Sequence, residues 1–242
     1  MKIIKLLMET AVALFFKIYF ATTGTPKIDP TLAKTINLYK GDGFGELFAL
    51  IRVWDAPYEP LDKAIGKTSR VLDLGSGDGL LGNYLAISQP GRKVFGIELN
   101  SKRAKVANKG VKNASFSKGD ILKTKLASNF DAIILAHVLH HLPSKSDQIK
   151  LLTKVASKLK KASDLLILEI DYKPWPKYVF SWLTDAITVP ILFEGKIFTS
   201  QFFYRRTDEW KNILQDLGFQ VKTRSIDKGK PFSHVLIYAK KK

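Results

Sequence analysis

The fold of this chain is decided by the stretch Val71-Leu72-Asp73-Leu74-Gly75-Ser76-Gly77-Asp78-Gly79-Leu80-Leu81-Gly82. It joins an apolar strand to a glycine-rich turn and then to an apolar helix. The glycines leave no Cβ between the backbone and a ligand, and they tolerate the positive φ angles that such a turn needs. The N–H groups that open the following helix are expected to face the ligand. The stretch therefore predicts a nucleotide-type cofactor site.

Two cofactor classes use turns of this kind. Gly77, Gly79 and Gly82 also fit G-x-G-x-x-G, the fingerprint of dinucleotide-binding enzymes. However, Gly75 comes two residues earlier than that fingerprint requires, and Asp73 places a carboxylate where a pyrophosphate would be repelled. A ligand with a cationic amino acid end tolerates that charge. The spacing resembles the first motif of class I S-adenosylmethionine-dependent methyltransferases.

The next segments resemble later motifs of the same family. Residues 93–98 read as a second strand that ends in Glu98, where the resemblance implies a carboxylate that binds both ribose hydroxyls. A surface glutamate at a strand end is the alternative interpretation. Residues 114–121 read as a third strand and its loop, and the resemblance places Asp120 and Ile121 against the adenine. Residues 130–143 read as a fourth strand followed by Val138-Leu139-His140-His141-Leu142, a frequent form of the fourth motif.

The resemblance implies one cofactor, S-adenosylmethionine, and a set of residues along the carboxyl ends of these strands. The implied cofactor-binding residues are Asp73, Gly75, Ser76, Gly77, Gly79, Glu98, Leu99, Asp120, Ile121 and Ala136.

Histidines after the fourth strand are the candidate catalytic residues. An alcohol, phenol or acidic carbon needs a base during methyl transfer, and histidine titrates in the useful pH range. We predict that His137 or His140 lies near the acceptor, whereas His141 faces the helix behind. Glu169 and Asp171, after the fifth strand, are competing acids. The chain has no cysteine and only four histidines, so no metal site is expected.

The order of predicted elements indicates an α/β fold. Strands near residues 70, 94, 115, 131 and 165 alternate with helical stretches, which is typical of a doubly wound, mostly parallel sheet. Two closely spaced strands near 219 and 235 predict a reversed terminal hairpin, completing a seven-stranded Rossmann-like methyltransferase sheet. Before this hairpin a helix is expected to begin with a Thr207 cap and to end at Gly218. We assign residues 61–242 to the methyltransferase domain and residues 1–60 to a helical extension.

The first 21 residues predict an amphipathic helix. At 100° per residue, the five polar side chains gather on one arc, and the opposite arc is apolar, the profile of a segment that lies in a membrane interface. A helix that caps the catalytic domain, a transmembrane helix and a signal peptide are the alternatives. Glu9 and Lys17 interrupt the run that a transmembrane helix needs, and Glu9 lies within the apolar region of a signal peptide.

An aromatic-rich insertion spans residues 172–204, between the fifth strand and the last helix. It holds ten aromatic side chains, and loops at this end of the sheet surround the ligand crevice. We therefore expect an acceptor pocket or lid that favours a hydrophobic acceptor; extra core packing is the alternative.

The net charge of +17 predicts attraction to anionic surfaces, either acidic membrane or nucleic acid. The sequence thus favours methyl transfer to oxygen or carbon of a hydrophobic or lipid-like acceptor, in the cytoplasm at the inner membrane face. RNA methylation, with Arg205 and Arg206 beside aromatic residues, is the second hypothesis. A cofactor-binding accessory or scaffold protein without catalysis is the third.

Overall fold

The computed structural model describes residues 1–24, 27–41, 44–55, 58–67, 69–199 and 201–242. The strands are β1 (Arg70–Leu74), β2 (Lys93–Glu98), β3 (Ala114–Lys118), β4 (Phe130–Ala136), β5 (Leu159–Ile170), β6 (Phe219–Ser225) and β7 (His234–Lys241). The helices are α1 (Lys2–Thr23), α2 (Pro30–Asn37), α3 (Phe44–Asp55), α4 (Glu59–Ala64), α5 (Leu80–Ser88), α6 (Ser101–Ala107), α7 (Lys145–Lys158), α8 (Trp175–Leu183) and α9 (Thr207–Asp216).

The strands form one seven-stranded sheet in the order β3-β2-β1-β4-β5-β7-β6. The first five strands are parallel to one another, whereas β7 runs antiparallel to both β5 and β6. The predicted fold class and its reversed terminal hairpin are confirmed. Because the order of the strands reverses at β1, between β2 and β4, the carboxyl end of β1 is the expected ligand crevice.

Two apolar layers cover the sheet, because successive side chains of a strand point to opposite faces. Leu72 and Leu74 of β1 face a cluster that includes side chains of α7 and α9. Val71 faces the other cluster, which includes side chains of α2, α3, α4 and α5. Asp73 lies on the same face as Val71, so its carboxyl points toward the N-terminal helices. The division at residue 60 stays a prediction, since α2 and α3 share this cluster with the sheet.

Helix α1 lies over the carboxyl end of the sheet. Its residues, Lys2–Thr23, include nearly all of the amphipathic helix predicted for the first 21 residues. One side of it packs on α3, where Phe16, Phe20 and Ile51 form a small buried cluster with Trp54 against it. The arc that includes Leu7, Leu14 and Ile18 is exposed. The packing of the inner side of α1 agrees with the alternative that this helix caps the domain. The apolar outer side of α1 has no protein partner among the described residues.

None of the helices within the described ranges is both long enough and apolar enough to cross a membrane.

The insertion contains α8 and two short turns of π-helix, residues 184–188 and 190–194. The last helix differs slightly from its prediction. Thr207 is the first residue of α9 rather than its cap, and the backbone N–H of Arg206 donates to the Glu209 carboxylate, 3.2 Å away. Glu209 therefore binds the backbone N–H of the residue before the helix, whereas the predicted Thr207 hydroxyl has no hydrogen-bond partner among the described residues. Gly218 follows the helix at φ 84°, as its position predicted.

Candidate active site

A cavity of about 1130 Å³ opens at the carboxyl end of β1. Its walls come from the turn after β1, the end of β4, helices α1 and α3, and the insertion. The apolar part of the wall is rich in phenylalanine, with Phe15, Phe16, Phe44, Phe48, Phe180, Phe193 and Phe232. The cavity is large enough for a cofactor and an acceptor side by side, since a single small-molecule site occupies roughly 300–1,000 Å³.

The predicted turn after β1 is held against β2 by its own amides. The N–H groups of Gly75 and Ser76 both donate to the carbonyl of Ile97, at 2.8 and 3.1 Å. The N–H of Gly77 donates to Oε2 of Glu98, at 2.9 Å. These three amides are therefore engaged within the protein, and the expectation that the N–H groups opening α5 face a ligand stays a prediction. The cavity wall nearby is completed by Leu80 and Leu81, the first residues of α5.

Glycine is required in this turn for close packing as well as for backbone conformation. Gly75, Gly77 and Gly79 have φ angles of 75°, 56° and 75°. A Cβ at Gly75 would lie 2.5 Å from Cγ2 of Val138. The turn after β1 therefore packs directly against the turn after β4, and Gly75, Ser76 and Gly77 all line the cavity.

Asp73 and Ser76 carry enclosed oxygen atoms that lack hydrogen-bond partners among the described residues. These atoms are Oδ2 of Asp73 and Oγ of Ser76, and both residues line the cavity. Burial raises the pKa of Asp73 to about 7, and the negative charge of Glu98 acts in the same direction. A buried carboxyl without a partner suits a cationic ligand group, because the positive charge would stabilise its ionised form.

Glu98 lies at the end of β2 and is 8% exposed. Its Oε2 accepts from Gly77 and its Oε1 accepts from the N–H of Asn100, at 2.8 Å. Its predicted role at the ribose stays a prediction, and the structure adds a second role in holding the turn.

The other predicted cofactor residues divide into two groups. Ala136 lines the cavity at the end of β4. Leu99, Asp120 and Ile121 follow β2 and β3 at the same edge of the sheet but lie outside the cavity wall, as do Glu98 and Gly79. Asp120 accepts a hydrogen bond from the N–H of Leu122, at 2.9 Å. The proposed adenine contacts would therefore form beside the cavity and not within it.

His140 does not lie where the sequence placed it. Its ring is 1% exposed, and its Nδ1 is 2.5 Å from Oε2 of Glu169. Its Nε2 is 3.4 Å from Oδ2 of Asp185 in the insertion. Burial alone would lower the pKa of His140, but the Glu169 charge and the hydrogen bonds to Asp185 and Glu169 raise it to about 10. A histidine that is already protonated at neutral pH cannot accept a proton, so this placement does not support a catalytic base at His140.

Glu169 explains why His140 is buried. Its Oε1 accepts from the N–H groups of Val138 and Leu139, at 3.1 and 2.8 Å. The carboxylate thus fixes the turn after β4, and the His140 imidazolium balances its charge. Asp171, the other competing acid, accepts from the N–H of Tyr172 and is not among the residues that line the cavity.

His137 and His141 both line the cavity. The prediction that His137 lies near the acceptor site therefore agrees with its position, whereas His141 faces the cavity and not the helix behind. His137 adopts a left-handed φ of 56°, which is uncommon for a residue with a side chain. Burial lowers the pKa of His137 well below its usual range, and the positive charge of Arg52 adds to this effect. His137 is therefore neutral at pH 7.

Sequence reasoning missed three polar residues of the cavity wall. They are Arg52 and Asp55 at the end of α3 and His234 at the start of β7. None of them follows a strand of the resembled motifs, so no local signal marked them. His234 lies in the terminal hairpin, and only the antiparallel insertion of β7 beside β5 brings it to this edge of the sheet.

Comparison with known proteins agrees with this geometry. The sequence model of one protein family, described as a methyltransferase domain, matches residues 48–223, most of the chain. The chain belongs to this methyltransferase family. The enzyme is a methyltransferase that uses S-adenosylmethionine.

Individual relatives are distant. The enzyme is 24% identical over 164 residues to a demethylmenaquinone methyltransferase of Thermotoga maritima, covering 63% of this chain and 70% of that one. It superimposes on a methyltransferase of Methanosarcina mazei with a TM-score of 0.58 and 20% identity, covering 75% of this chain and 96% of that one. Human N-acetylserotonin methyltransferase, solved with S-adenosylmethionine, gives a TM-score of 0.59 and 22% identity over 92% of this chain and 62% of that one. These structural similarities establish the fold.

The residues at the carboxyl end of β1 fit S-adenosylmethionine. When bound, this cofactor supplies a methyl group on a positively charged sulfur, and it carries a cationic amino group. The Asp73 carboxyl oxygen that lacks a partner among the described residues suits that amino group, and Gly75 and Gly77 line the cavity together with it. Catalysis by the protein then consists mainly of placing the acceptor in line and excluding water.

We expect Gly75→Ala to weaken binding of S-adenosylhomocysteine by about tenfold or more, a loss of about 1.4 kcal/mol or more. The added Cβ would displace Val138 and hence the turn. Isothermal titration calorimetry measures the affinity. Gly110→Ala is the matched control, because Gly110 has a similar φ of 79° but no atom within 4 Å of the added Cβ. Equal affinities of the two variants would contradict the assigned role of the turn.

We expect binding of S-adenosylhomocysteine to tighten as the pH rises from about 5.5 to about 8, because Asp73 with a raised pKa must lose its proton to bind the amino group. In the free protein, the stability that Asp73 contributes is present below its ordinary pKa and is lost as the pH rises through about 7. Asp73→Asn should therefore remove most of the pH dependence of affinity in calorimetry and raise the Tm at pH 8. An unchanged pH dependence in this variant would exclude Asp73 as the titrating group.

Proposed function

We propose that this enzyme transfers a methyl group to oxygen or carbon of a hydrophobic, lipid-like acceptor, and that it does so while bound peripherally to an anionic membrane surface through α1. The observation that carries the proposal is that one cavity joins the cofactor turn to a phenylalanine-rich wall, and that the helix over this cavity exposes its apolar side.

The acceptor class is supported by the composition of the cavity wall. Seven phenylalanines from α1, α3, the insertion and the β6–β7 connection line it. Each large apolar side chain that an acceptor covers contributes about 1.5–3 kcal/mol, so an apolar acceptor gains more here than a sugar or a free amino acid. Fewer aromatic side chains of the insertion line the cavity than the sequence suggested. Of its ten aromatic residues, Phe180 and Phe193 line the cavity.

Several of the remaining aromatic residues of the insertion pack against other rings of the protein. Tyr172 stacks on Tyr178 with ring centres 4.5 Å apart. Tyr204 stacks on His140, and its hydroxyl donates to Asp185 at 2.7 Å. The alternative of extra core packing thus describes part of the insertion, whereas its α8 and π-helical turns form part of the acceptor wall.

Membrane association is supported by the orientation of α1. Ile3, Leu7, Leu14 and Ile18 are 74%, 64%, 58% and 57% exposed along one side of the helix. An apolar stripe of this length is costly in water and suits the boundary between lipid headgroups and acyl chains. The net charge of +17 complements anionic lipid headgroups. Because residues of the same helix line the cavity, a lipid-like acceptor would enter from the surface on which α1 rests.

A distant relative provides further support. The Thermotoga maritima protein is named for methylation of demethylmenaquinone, and we extend only the acceptor class, an apolar molecule, to this enzyme.

Nucleic acid is less well supported as a substrate. The guanidinium of Arg205 is engaged by Gln148 at 2.7 Å, by Glu209 at 3.1 Å and by the carbonyl of Lys145 at 3.1 Å. Arg206 is paired with Asp208 at 3.3 Å. Arg205 can therefore contact RNA only if these internal hydrogen bonds break, whereas Arg206 is exposed and held by a single surface ion pair.

Incubation of the enzyme with S-adenosylmethionine labelled in its methyl group, together with total lipid and total RNA extracts, tests the acceptor class. We expect label in the organic phase and not in RNA, because the cavity wall favours apolar acceptors. Thin-layer chromatography and scintillation counting measure the distribution. Enzyme carrying Gly75→Ala serves as the background control, and label confined to RNA or to polar metabolites would refute the proposed acceptor.

The triple variant Leu7→Gln, Leu14→Gln, Ile18→Gln tests the membrane contact without removing the side of α1 that packs on α3. In flotation with vesicles of equal parts phosphatidylcholine and phosphatidylglycerol, we expect its partition coefficient to fall by about 100-fold or more, since each lost apolar side chain contributes about 1.5–3 kcal/mol.

Ile149→Gln is the matched control, because Ile149 is an exposed apolar residue on α7, remote from α1. It should float like the unmodified enzyme. If the triple variant also floats like the unmodified enzyme, α1 is not the membrane contact.

A further inference from the structure

Three side chains at the cavity wall form a cluster that cofactor binding does not explain. They are Asp55 at the end of α3, His137 after β4 and His234 at the start of β7. Their nearest nitrogen and oxygen atoms all lie within 4.8 Å of one another, and all three residues line the cavity. The cluster therefore belongs to the wall of the same cavity as the cofactor turn.

The atoms at the centre of this cluster lack hydrogen-bond partners within the part of the chain that the structure describes. They are Oδ1 of Asp55, Nε2 of His137 and Nδ1 of His234. Asp55 and His234 are only 4% and 3% exposed. Three enclosed polar atoms without partners are costly, and buried polar groups of native proteins are nearly always paired. Buried polar atoms that lack partners are typical of binding and catalytic sites, where a ligand or substrate supplies the missing interaction.

The geometry sets the direction of the His234 ring. Its Nδ1 is 3.4 Å from Oδ1 of Asp55. The two nitrogens of an imidazole point to different sides of the ring, so Nε2 points away from Asp55. The ring of His137 packs edge-on against that of His234, with centres 4.6 Å apart, and limits its rotation. The N–H of His137 donates to the carbonyl of Leu168, which holds its left-handed backbone in place.

The surrounding charges keep His234 neutral and disfavour a metal ion in the cluster. Burial lowers the pKa of His234, Arg52 and Lys230 act in the same direction, and Asp55 and Asp185 oppose it. Arg52 is 3.5 Å from Oδ2 of Asp55, and the ammonium of Lys230 donates to the Asp55 carbonyl at 3.0 Å. Two positive charges at the only carboxylate of the cluster repel a further cation, whereas a neutral imidazole can accept a proton.

We propose that Asp55 and His234 are the acid–base pair of the methyl transfer, with His234 as the catalytic residue and Asp55 as the residue that positions it. This inference rests on the proposed function, because it requires an acceptor with a hydroxyl or an acidic C–H group.

The proposed step is balanced without a further reactant. Nε2 of His234 takes the proton of the acceptor. The acceptor oxygen or carbon keeps the electron pair of that bond and forms the new bond to the methyl carbon. The bond between methyl and sulfur breaks with its electrons left on sulfur. The imidazolium that forms is stabilised by the negative charge of Asp55, whose Oδ1 lies 3.4 Å from Nδ1, and it returns its proton to solvent after the product leaves.

The first test reads the tautomer directly. The full chain has four histidines, so ¹⁵N-histidine labelling with His234→Asn as the assignment variant identifies the His234 signals. In the presence of S-adenosylhomocysteine at pH 7, we expect a neutral ring with its proton on Nδ1 and a pKa below about 6.5. Asp55→Asn should lower this pKa further, because Asp55 raises it. A ring protonated at pH 7, or a proton on Nε2, would overturn the proposal.

The second test uses methyl transfer to the lipid extract. We expect His234→Asn to lower the rate by about 10²–10⁴-fold. At S-adenosylmethionine concentrations that saturate the enzyme at every pH, so that the titration of Asp73 does not limit the rate, it should also abolish the decline of rate at acidic pH. Asparagine can still reach Asp55, so the Tm and the affinity for S-adenosylhomocysteine should stay near those of the unmodified enzyme. Asp55→Asn should retain the acidic decline but move it to lower pH.

Asp164→Asn is the control, because Asp164 pairs with Lys240 at 3.3 Å on the sheet, outside the cavity wall, and its rate should be unchanged. If the lipid extract is labelled by His234→Asn as fast as by the unmodified enzyme, the acid–base pair is refuted while the proposed function stands. If the unmodified enzyme labels a different fraction, the acceptor class is refuted, and the same variants and pH profile on that fraction decide the pair.

Discussion

The carboxylate of Glu98 is the interaction on which the cofactor side of the site depends. It is buried at the end of β2 and accepts hydrogen bonds from the amides of Gly77 and Asn100. These bonds hold the turn after β1 at the carboxyl end of the sheet. Because the turn cannot move away, Asp73 stays enclosed at the cavity, where its Oδ2 lacks a hydrogen-bond partner among the described residues. The same hydrogen bonds bring Gly75 close to Val138, so the turn after β1 packs directly against the turn after β4.

A second buried carboxylate plays the corresponding part on the acceptor side. Glu169 accepts from two amides of the turn after β4 and pairs with the His140 imidazolium. His140 in turn reaches Asp185 of the insertion. The turn after β4, where the sequence predicted the catalytic histidines, thus joins the sheet to the insertion. His137 and His234, by contrast, both line the cavity.

The elements that the sequence predicted well are those with a local signal. Apolar strands at regular spacing and a glycine-rich turn depend on neighbouring residues, so the sheet, its terminal hairpin and the position of the cofactor turn could be predicted. The direction of individual side chains could not. His140 and His141 are neighbours with the same chemistry, and only the buried partners Glu169 and Asp185 determine which ring turns inward. The inner side of α1 was likewise decided by its contact with Trp54 and Ile51.

The sequence alone determined the fold, the cofactor and the general location of the site, because the pattern of residues 71–82 and the strands that follow it specify them locally. Only the tertiary structure decided which polar groups meet at the acceptor. Asp55, His137 and His234 are far apart in the chain, and no spacing links them. They come together because α3 packs over the sheet and β7 inserts antiparallel beside β5, so that the start of β7 lies at the same edge as the end of β4.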